Sequence, residues 1–341
     1  MHILGLCNGS IHGNSEILLK AALKAAAAKD PSITASWIHV PSVSIPRNAP
    51  PPMQNPNIIP TQLRGENSFH HLVADDRAAV YEAIMDSDAL IISTPIFSHQ
   101  PAGTLKALSD SILGPYADVS SAYKAVEENR KAGANAIDLK IDPRHVKPRV
   151  AAFIAVAGSS SLFPEQWTMA LPTMHLIIYP LHAKVIDQVV FPENANAGAV
   201  LIDPKNTVER AQRLGENVAS QIGKPFDDAK YLGTEEKGSC PYCHLLKIEF
   251  RQGNKVVCIA CGADGQLVAE PNGDFRPIWD PDSNVSGLTL KGKWKHRDDI
   301  IAQLGKERKR LPDVETEWEK WKKVDIPMNS LPSNTEPRAN F

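Results

Sequence analysis

The sequence predicts an α/β protein: a doubly wound, five-stranded parallel sheet flanked by helices, followed by a small cysteine-rich module and a helical tail. Three observations predict it. Short apolar runs alternate with helix-forming stretches through the first two thirds of the 341 residues, the βα rhythm of a parallel sheet. The first, third and fourth runs each end in a loop of small polar residues or proline, at the strand ends where open sheets bind ligands. Four of the five cysteines fall in two Cys-x-x-Cys pairs, a spacing that gathers metal ligands.

Residues 2–7 (HILGLC) form the first strand, with Cys7 a buried strand residue, and the alanine- and leucine-rich residues 17–29 form the first helix. Between them Ser10, Asn14 and Ser15, with Gly9 and Gly13, stand at a helix N-terminus. Unpaired N–H groups and the positive dipole end there suit a phosphate without any lysine. The same loop also reads as a capped turn, with Asn14 or Ser15 as N-cap. There is no G-x-G-x-x-G, no acidic residue closing the second strand and no G-K-[ST]. A dinucleotide site and a Walker loop are thereby excluded, and a mononucleotide remains.

Residues 34–40 form the second strand, and the proline-dense residues 41–71 form an insertion, either a surface linker or a lid. Residues 72–86 restore a helix through Val73, Val80 and Ile84. The stretch 88–110 organises the rest: an acidic start, a buried strand that Pro95 is expected to end, and a loop through Ile96, Phe97, Ser98 and His99. Gly103 is expected to permit close backbone approach before a helix over 104–113. That loop suits a flat aromatic ligand. A second insertion, 114–148, is helical near 121–131; the fourth strand, 149–157, ends in Gly158-Ser159-Ser160-Ser161. Residues 165–178 are helical apart from Pro172, 183–191 form the fifth strand, and 205–222 an amphipathic last helix.

Gly9-Ser10 followed by Gly13-Asn14-Ser15-Glu16 resembles the phosphate loop of the NAD(P)H-dependent FMN reductase and iron–sulfur flavoprotein families. Thr94-Pro95-Ile96-Phe97, then Gly103-Thr104-Leu105-Lys106 and Asp110, resembles their flavin loop. The resemblance covers residues 1–225 and implies a flavodoxin-like, FMN-binding domain. It implies that Ser10, Asn14 and Ser15 contact phosphate, that Pro95, Ile96, Phe97, Ser98 and His99 contact the ring system, and that Gly158 and Ser159 face its other edge. It also implies NAD(P)H as co-substrate and a quinone, another conjugated small molecule or free flavin as acceptor, with the chain a homo-oligomer (dimer or tetramer). His99 is the candidate hydrogen-bond or proton donor at the flavin edge; it also reads as a loop histidine packed on proline. Ile11 and His12 replace the usual Pro-Arg, which removes an arginine from the phosphate site. The cysteine cluster of the iron–sulfur members is missing after the second strand, so a [4Fe–4S] centre is not expected.

Residues 236–266 form the second module. Cys240, Cys243, Cys258 and Cys261 bracket strand-like runs at 245–251 and 255–257 around a Gln252-Gly253-Asn254 turn, the pattern of a zinc ribbon. Rubredoxin-type iron is the alternative, although its knuckles are farther apart in sequence. A flavin fold left as a non-catalytic binding module is the other. The tail, 267–341, carries helices at 294–305 and 315–323 and a loose terminus. A net charge of −2 gives no general attraction to nucleic acid or anionic membrane, and acidic residues dilute the tail's basic clusters. No secretory signal pattern and no membrane-spanning run of roughly 18 apolar residues is present, so a cytoplasmic protein is expected.

Overall fold

The computed structural model describes residues 1–45, 74–135 and 141–327; most of the proline-rich insertion, with Val73, and the terminus from 328 lie outside the described residues. Strands β1 (His2–Cys7), β2 (Thr34–His39), β3 (Ala89–Phe97), β5 (Arg149–Val156) and β6 (Ala183–Phe191) form a parallel sheet in the order β2-β1-β3-β5-β6. The order reverses direction beside β1. Both neighbouring carboxyl ends, those of β1 and β3, therefore open onto one crevice.

Both faces of the sheet are covered, because alternate residues of each strand are apolar and point opposite ways. Leu4, Leu6, Leu90, Ile92 and Phe153 pack with α2 (Arg77–Asp86), α3 (Gly103–Leu108) and α6 (Ala170–Ile177). Ile3, Cys7, Ile91 and Ile154 pack with α1 (Asn14–Lys29) and α7 (Val208–Gln221). Cys7 is fully buried, and burial foremost raises its thiol pKa.

Several boundaries differ from the sequence reading. Strand β3 runs past Pro95 to Phe97: Pro95 still pairs with Val156, and the strand then turns back on β4 (Gln100–Pro101). Proline lacks only the donor, which the end of a ladder tolerates. After α3 the helix loosens into a π turn at Ser109–Leu113 before α4 (Gly114–Tyr116), and α5 (Val119–Ala132) follows. The helix expected over 165–178 is a 3₁₀ turn, Pro164–Trp167, and then α6, which holds Pro172 in its first turn, where the missing N–H has no helical partner to lose.

A second, antiparallel sheet is built from β7 (Ile248–Phe250), β8 (Lys255–Cys258), β9 (Asp264–Ala269) and β10 (Phe275–Trp279), in the order β10-β9-β8-β7. It therefore continues past residue 266, where the sequence reading stopped. The tail contains one helix where two were expected, α8 (Leu290–Lys322), continuous through Pro312. The contacts divide the chain into two compact units, Met1–His296 and Arg297–Phe341. Among the described residues no helix is long and apolar enough to cross a membrane.

His175, fully buried on α6, faces Phe153 edge-on, and its Nε2 lies 3.0 Å from Gln188 Oε1. An amide oxygen only accepts, so Nε2 carries the proton. Desolvation, opposed by that hydrogen bond, lowers the pKa from 6.5 to about 4. The unfolded chain then binds the extra proton between about pH 6.5 and pH 4, so stability falls as pH drops through that window, by on the order of 3 kcal/mol in full. Urea unfolding at pH 7 and pH 5 is expected to show a steeper loss for the native sequence than for His175→Leu; equal slopes would remove His175 from the account.

Candidate functional site

The site is assembled from loops that strand order brings to one edge. Loop 8–13 leaves β1 and enters α1. Its N-cap is Gly13, without a side-chain cap, in place of the expected Asn14 or Ser15. The buried Glu16 instead reaches back to accept His12 N–H at 2.8 Å and binds Lys20 Nζ at 2.6 Å. Lys20 first, and then the His12 N–H, hold its carboxyl below the usual carboxylate range. The amides of Asn14, Ser15 and Glu16 are the first of α1, donors with no carbonyl one turn earlier to bind. A methyl group at Gly9 would lie 2.8 Å from Ser15 Cβ, so glycine is what lets the chain turn so closely over the helix start. His39 Nε2 lies 2.8 Å from the Gly9 carbonyl, and Ser10 is exposed.

Asn8 joins this loop to the next. Only 2% exposed, it donates through Nδ2 to Thr94 Oγ1 (3.0 Å) and to the Ala102 carbonyl (2.9 Å), and accepts Thr104 Oγ1–H at 2.6 Å. Ser93 Oγ adds a bond to the Ser15 carbonyl, 2.8 Å. The phosphate-loop candidate and the flavin-loop candidate are thus fixed to each other by two buried and two part-buried hydrogen bonds, each worth about 1 kcal/mol.

The hairpin between β3 and β4 turns at Ser98 and His99, both at positive φ (48° and 71°), the geometry of a tight two-residue hairpin turn. It leaves Phe97 63% exposed. Pro95 and Ile96 lie on β3 behind it, and the Pro95 carbonyl accepts Ala102 N–H at 3.2 Å. His99 Nδ1 lies 2.8 Å from the Glu165 carbonyl, so that nitrogen carries the proton and Nε2 is the other ring atom. A Cβ at Gly103 would meet no protein atom within 4 Å; no protein group makes the close approach expected there.

The loop after β5 completes the rim. The Ser159 carbonyl accepts Glu193 N–H at 2.8 Å, and Glu193 Oε1 accepts Ser161 N–H and Oγ–H at 2.9 and 2.8 Å. Gly158 packs against Ala195. Asn14 ties in the same strand-end loop: its Nδ2 donates to the carbonyls of Asn194 (3.1 Å) and Asn196 (2.8 Å). Both amide hydrogens of Asn14 are thereby committed, and its backbone N–H is what it offers an anion. Ser10, Pro95 to His99, Gly158 and Ser159 lie on loops and strand ends at this carboxyl edge, and Asn14 and Ser15 are the first two residues of α1 beside them. Thr94 and Thr104 stood in the flavin-loop motif without an expected role in joining the loops, and the linking bonds of Asn8 and Glu193 were not anticipated.

A cleft of about 670 Å³ lies elsewhere, between the start of β6 at Ala183 and Lys184 and a wall of Phe226, Tyr242 and Trp279. It includes none of the rim residues, so its size does not bear on the chemistry at the sheet edge.

The four module cysteines are buried with their sulfur atoms within 4.8 Å of one another; Cys240 and Cys261 are 3.6 Å apart and Cys243 and Cys258 3.4 Å. A tetrahedral centre with metal–sulfur bonds of about 2.3 Å has edges near 3.8 Å. The donor set fits a metal. Gln188 Nε2 donates to the Cys243 carbonyl at 2.7 Å, which links β6 to the first knuckle.

A doubly wound sheet whose β1 and β3 loops meet at the order reversal is the architecture of a flavodoxin-like protein. The chain belongs to the NADPH-dependent FMN reductase family, whose pattern its residues 1–192 match. It is 32% identical over 309 residues to flavone synthase cfoJ of Aspergillus candidus, covering 89% of this chain and 90% of that protein. A solved structure of a flavone reductase superposes with a TM-score of 0.74 at 23% identity, covering 97% of this chain and all of the other; at that identity the likeness speaks for the fold. The protein is an FMN-dependent oxidoreductase of this family.

Proposed function

We propose that this chain carries two electrons from NAD(P)H, by way of FMN held at the carboxyl edge of the sheet, to a planar conjugated ketone of the flavone class. The observation that carries the reading is the continuous rim: Asn8 locks the α1 loop to the β3–β4 hairpin, and Asn14 and Glu193 lock the α1 and β5 loops to the β6 loop. A ligand with an anionic end and a flat end fits such a rim, and the family supplies FMN as that ligand. The names of the two relatives, flavone synthase and flavone reductase, support the acceptor class.

Bound FMN supplies hydride transfer at its N5 position. The protein's part is to hold and orient. The amides of Asn14, Ser15 and Glu16, with Ser10 beside them, hold the phosphate against the positive end of α1. The hairpin backbone through Pro95, Ile96 and Ser98, with Phe97, would hold the flat ring, and Gly158 and Ser159 would border it from the loop after β5. His99, fixed through Nδ1 to the Glu165 carbonyl, leaves Nε2 as the ring atom that would orient the ketone or a water supplying the proton. In the balanced reaction NAD(P)H gives a hydride and solvent a proton. The conjugated C=C bond of the acceptor gains both, its carbonyl is unchanged, and NAD(P)⁺ leaves.

The four cysteines hold one zinc ion, which fixes the second module; the chain is a homo-oligomer in solution. The functional reading is tested by incubating the FMN-loaded protein anaerobically with NAD(P)H and flavone. Loss of the conjugated chromophore, with a product two hydrogens heavier, is expected. Reduction of quinone or free FMN with flavone untouched would overturn the acceptor class while leaving the flavin reading in place.

A further inference from the structure

From Asp298 to Lys322 every residue of α8 is exposed. The apolar ones are not scattered. Apart from Ile301 (49% exposed), which stands beside the seam at e, Ile300 (47%), Leu304 (48%), Leu311 (51%), Val314 (49%), Trp318 (55%) and Trp321 (67%) follow spacings of four, seven, three, four and three residues. With Glu307 they fill alternating d and a positions of three heptads: d at 300, 307, 314 and 321, a at 304, 311 and 318. That is the narrow seam of a two-stranded coiled coil. A globular protein does not keep two tryptophans in one exposed stripe without a partner for them. A lone helix draws most of its stability from packing, and Pro312 inside this one costs about 3 kcal/mol in addition. By heptad position Pro312 is at b, outside the seam.

We propose that α8 pairs with α8 of a second copy of this chain as a parallel, in-register coiled coil. The charges flanking the seam select that partner. In a parallel pair each g position faces the e position five residues on in the other helix. Here g at Arg310 meets e at Glu315, and g at Glu317 meets e at Lys322, each twice by symmetry. Glu307, in the seam, lies beside Arg308 of the other copy, a polar layer of the kind that fixes register at a cost in stability. Within one chain Lys322 binds Glu319 and lies 4.3 Å from the centre of the Trp318 ring. Such exposed contacts are worth little and do not compete with burial of the tryptophans. The inference stands apart from the flavin reading, since it uses no residue of the sheet edge.

The test uses the full chain loaded with FMN. Under mild oxidation Val314→Cys, in the seam, is expected to form a covalent dimer, and Thr316→Cys, on the outer face, is not. In sedimentation of the unlinked chain, Glu315→Arg is expected to weaken self-association by about tenfold, and adding Arg310→Glu is expected to restore it. Unchanged FMN content in every variant confirms that the fold is intact. Equal cross-linking at 314 and 316, or none at 314, would overturn the pairing, as would a double exchange that fails to rescue. If the seam instead lies against the body of its own chain, position 314 stays uncoupled and the proposal falls.

Discussion

A Cys258→Ser chain is expected to lose its zinc and with it the fold of residues 238–279, while the FMN domain survives. The reason is the module's core. Its buried cluster is Cys240, Cys243, Leu245, Cys258, Ala260, Cys261 and Ala263, four cysteines, two alanines and one leucine, with Leu171, Tyr242, Trp279 and Leu288 packed half-buried against it and Val256 buried on β8. At about 25 cal/mol per Å² so little apolar surface cannot offset the ordering of some forty residues, whereas a structural zinc contributes on the order of 10 kcal/mol. Metal content measured by plasma mass spectrometry is expected to be about one zinc per native chain and a tenth of that or less in the variant. Limited proteolysis should then cut within β7 to β10. Iron in the native chain, with its thiolate charge-transfer colour, would replace the zinc reading with the electron-relay one. An unaltered module in a metal-free variant would contradict the folding argument.

Asn8→Leu is expected to have the second largest effect. The exchange keeps volume and removes three hydrogen bonds at once: the buried Thr94 hydroxyl and the half-buried Ala102 carbonyl each lose a donor, the carbonyl keeping Leu105 N–H, and the Thr104 hydroxyl loses its acceptor. At about 1 kcal/mol for each lost bond, the two loops no longer hold one relative position. FMN affinity, followed by fluorescence titration, should fall by about ten- to several-hundredfold. The far-ultraviolet dichroism should stay native, because the sheet's apolar faces do not include Asn8. Native FMN affinity in a folded Asn8→Leu chain would show that the loops are held by something else.

What could be read in advance was what depends on neighbours in sequence. β1 and β6 have the bounds their apolar runs predicted, since burial on both faces makes a parallel strand a continuous apolar string. The two Cys-x-x-Cys pairs converge because a knuckle is a local turn joined by one hairpin. The alternation also placed the loops after β1, β3 and β5 at one edge of the sheet.

What escaped depends on partners far along the chain. Asn14 looked like an N-cap, yet its amide is bonded 180 and 182 residues away, in the loop after β6, and Gly13 is left as cap. Asn8 gave no local sign that Thr94 and Thr104 would meet it. Pro95 looked like a strand terminator because proline lacks a donor; the pairing of β3 with β4 holds the strand for two residues more. Strands β9 and β10 were missed because they carry Gly265, Gln266, Arg276 and Pro277, residues poor in strand propensity whose place comes from pairing with β8 and with each other. The bond from Gln188 to the Cys243 carbonyl, which joins the two modules of the first unit, is likewise a product of the fold.

The central claim is that the rim around Asn8, Phe97 and Gly158 holds FMN in a state that a reduced nicotinamide can reach. The most direct test is an anaerobic absorbance titration of the FMN-loaded protein with NADH and, separately, NADPH. The account predicts stoichiometric bleaching of the oxidised flavin by at least one of them, and failure of both to bleach it would contradict the account.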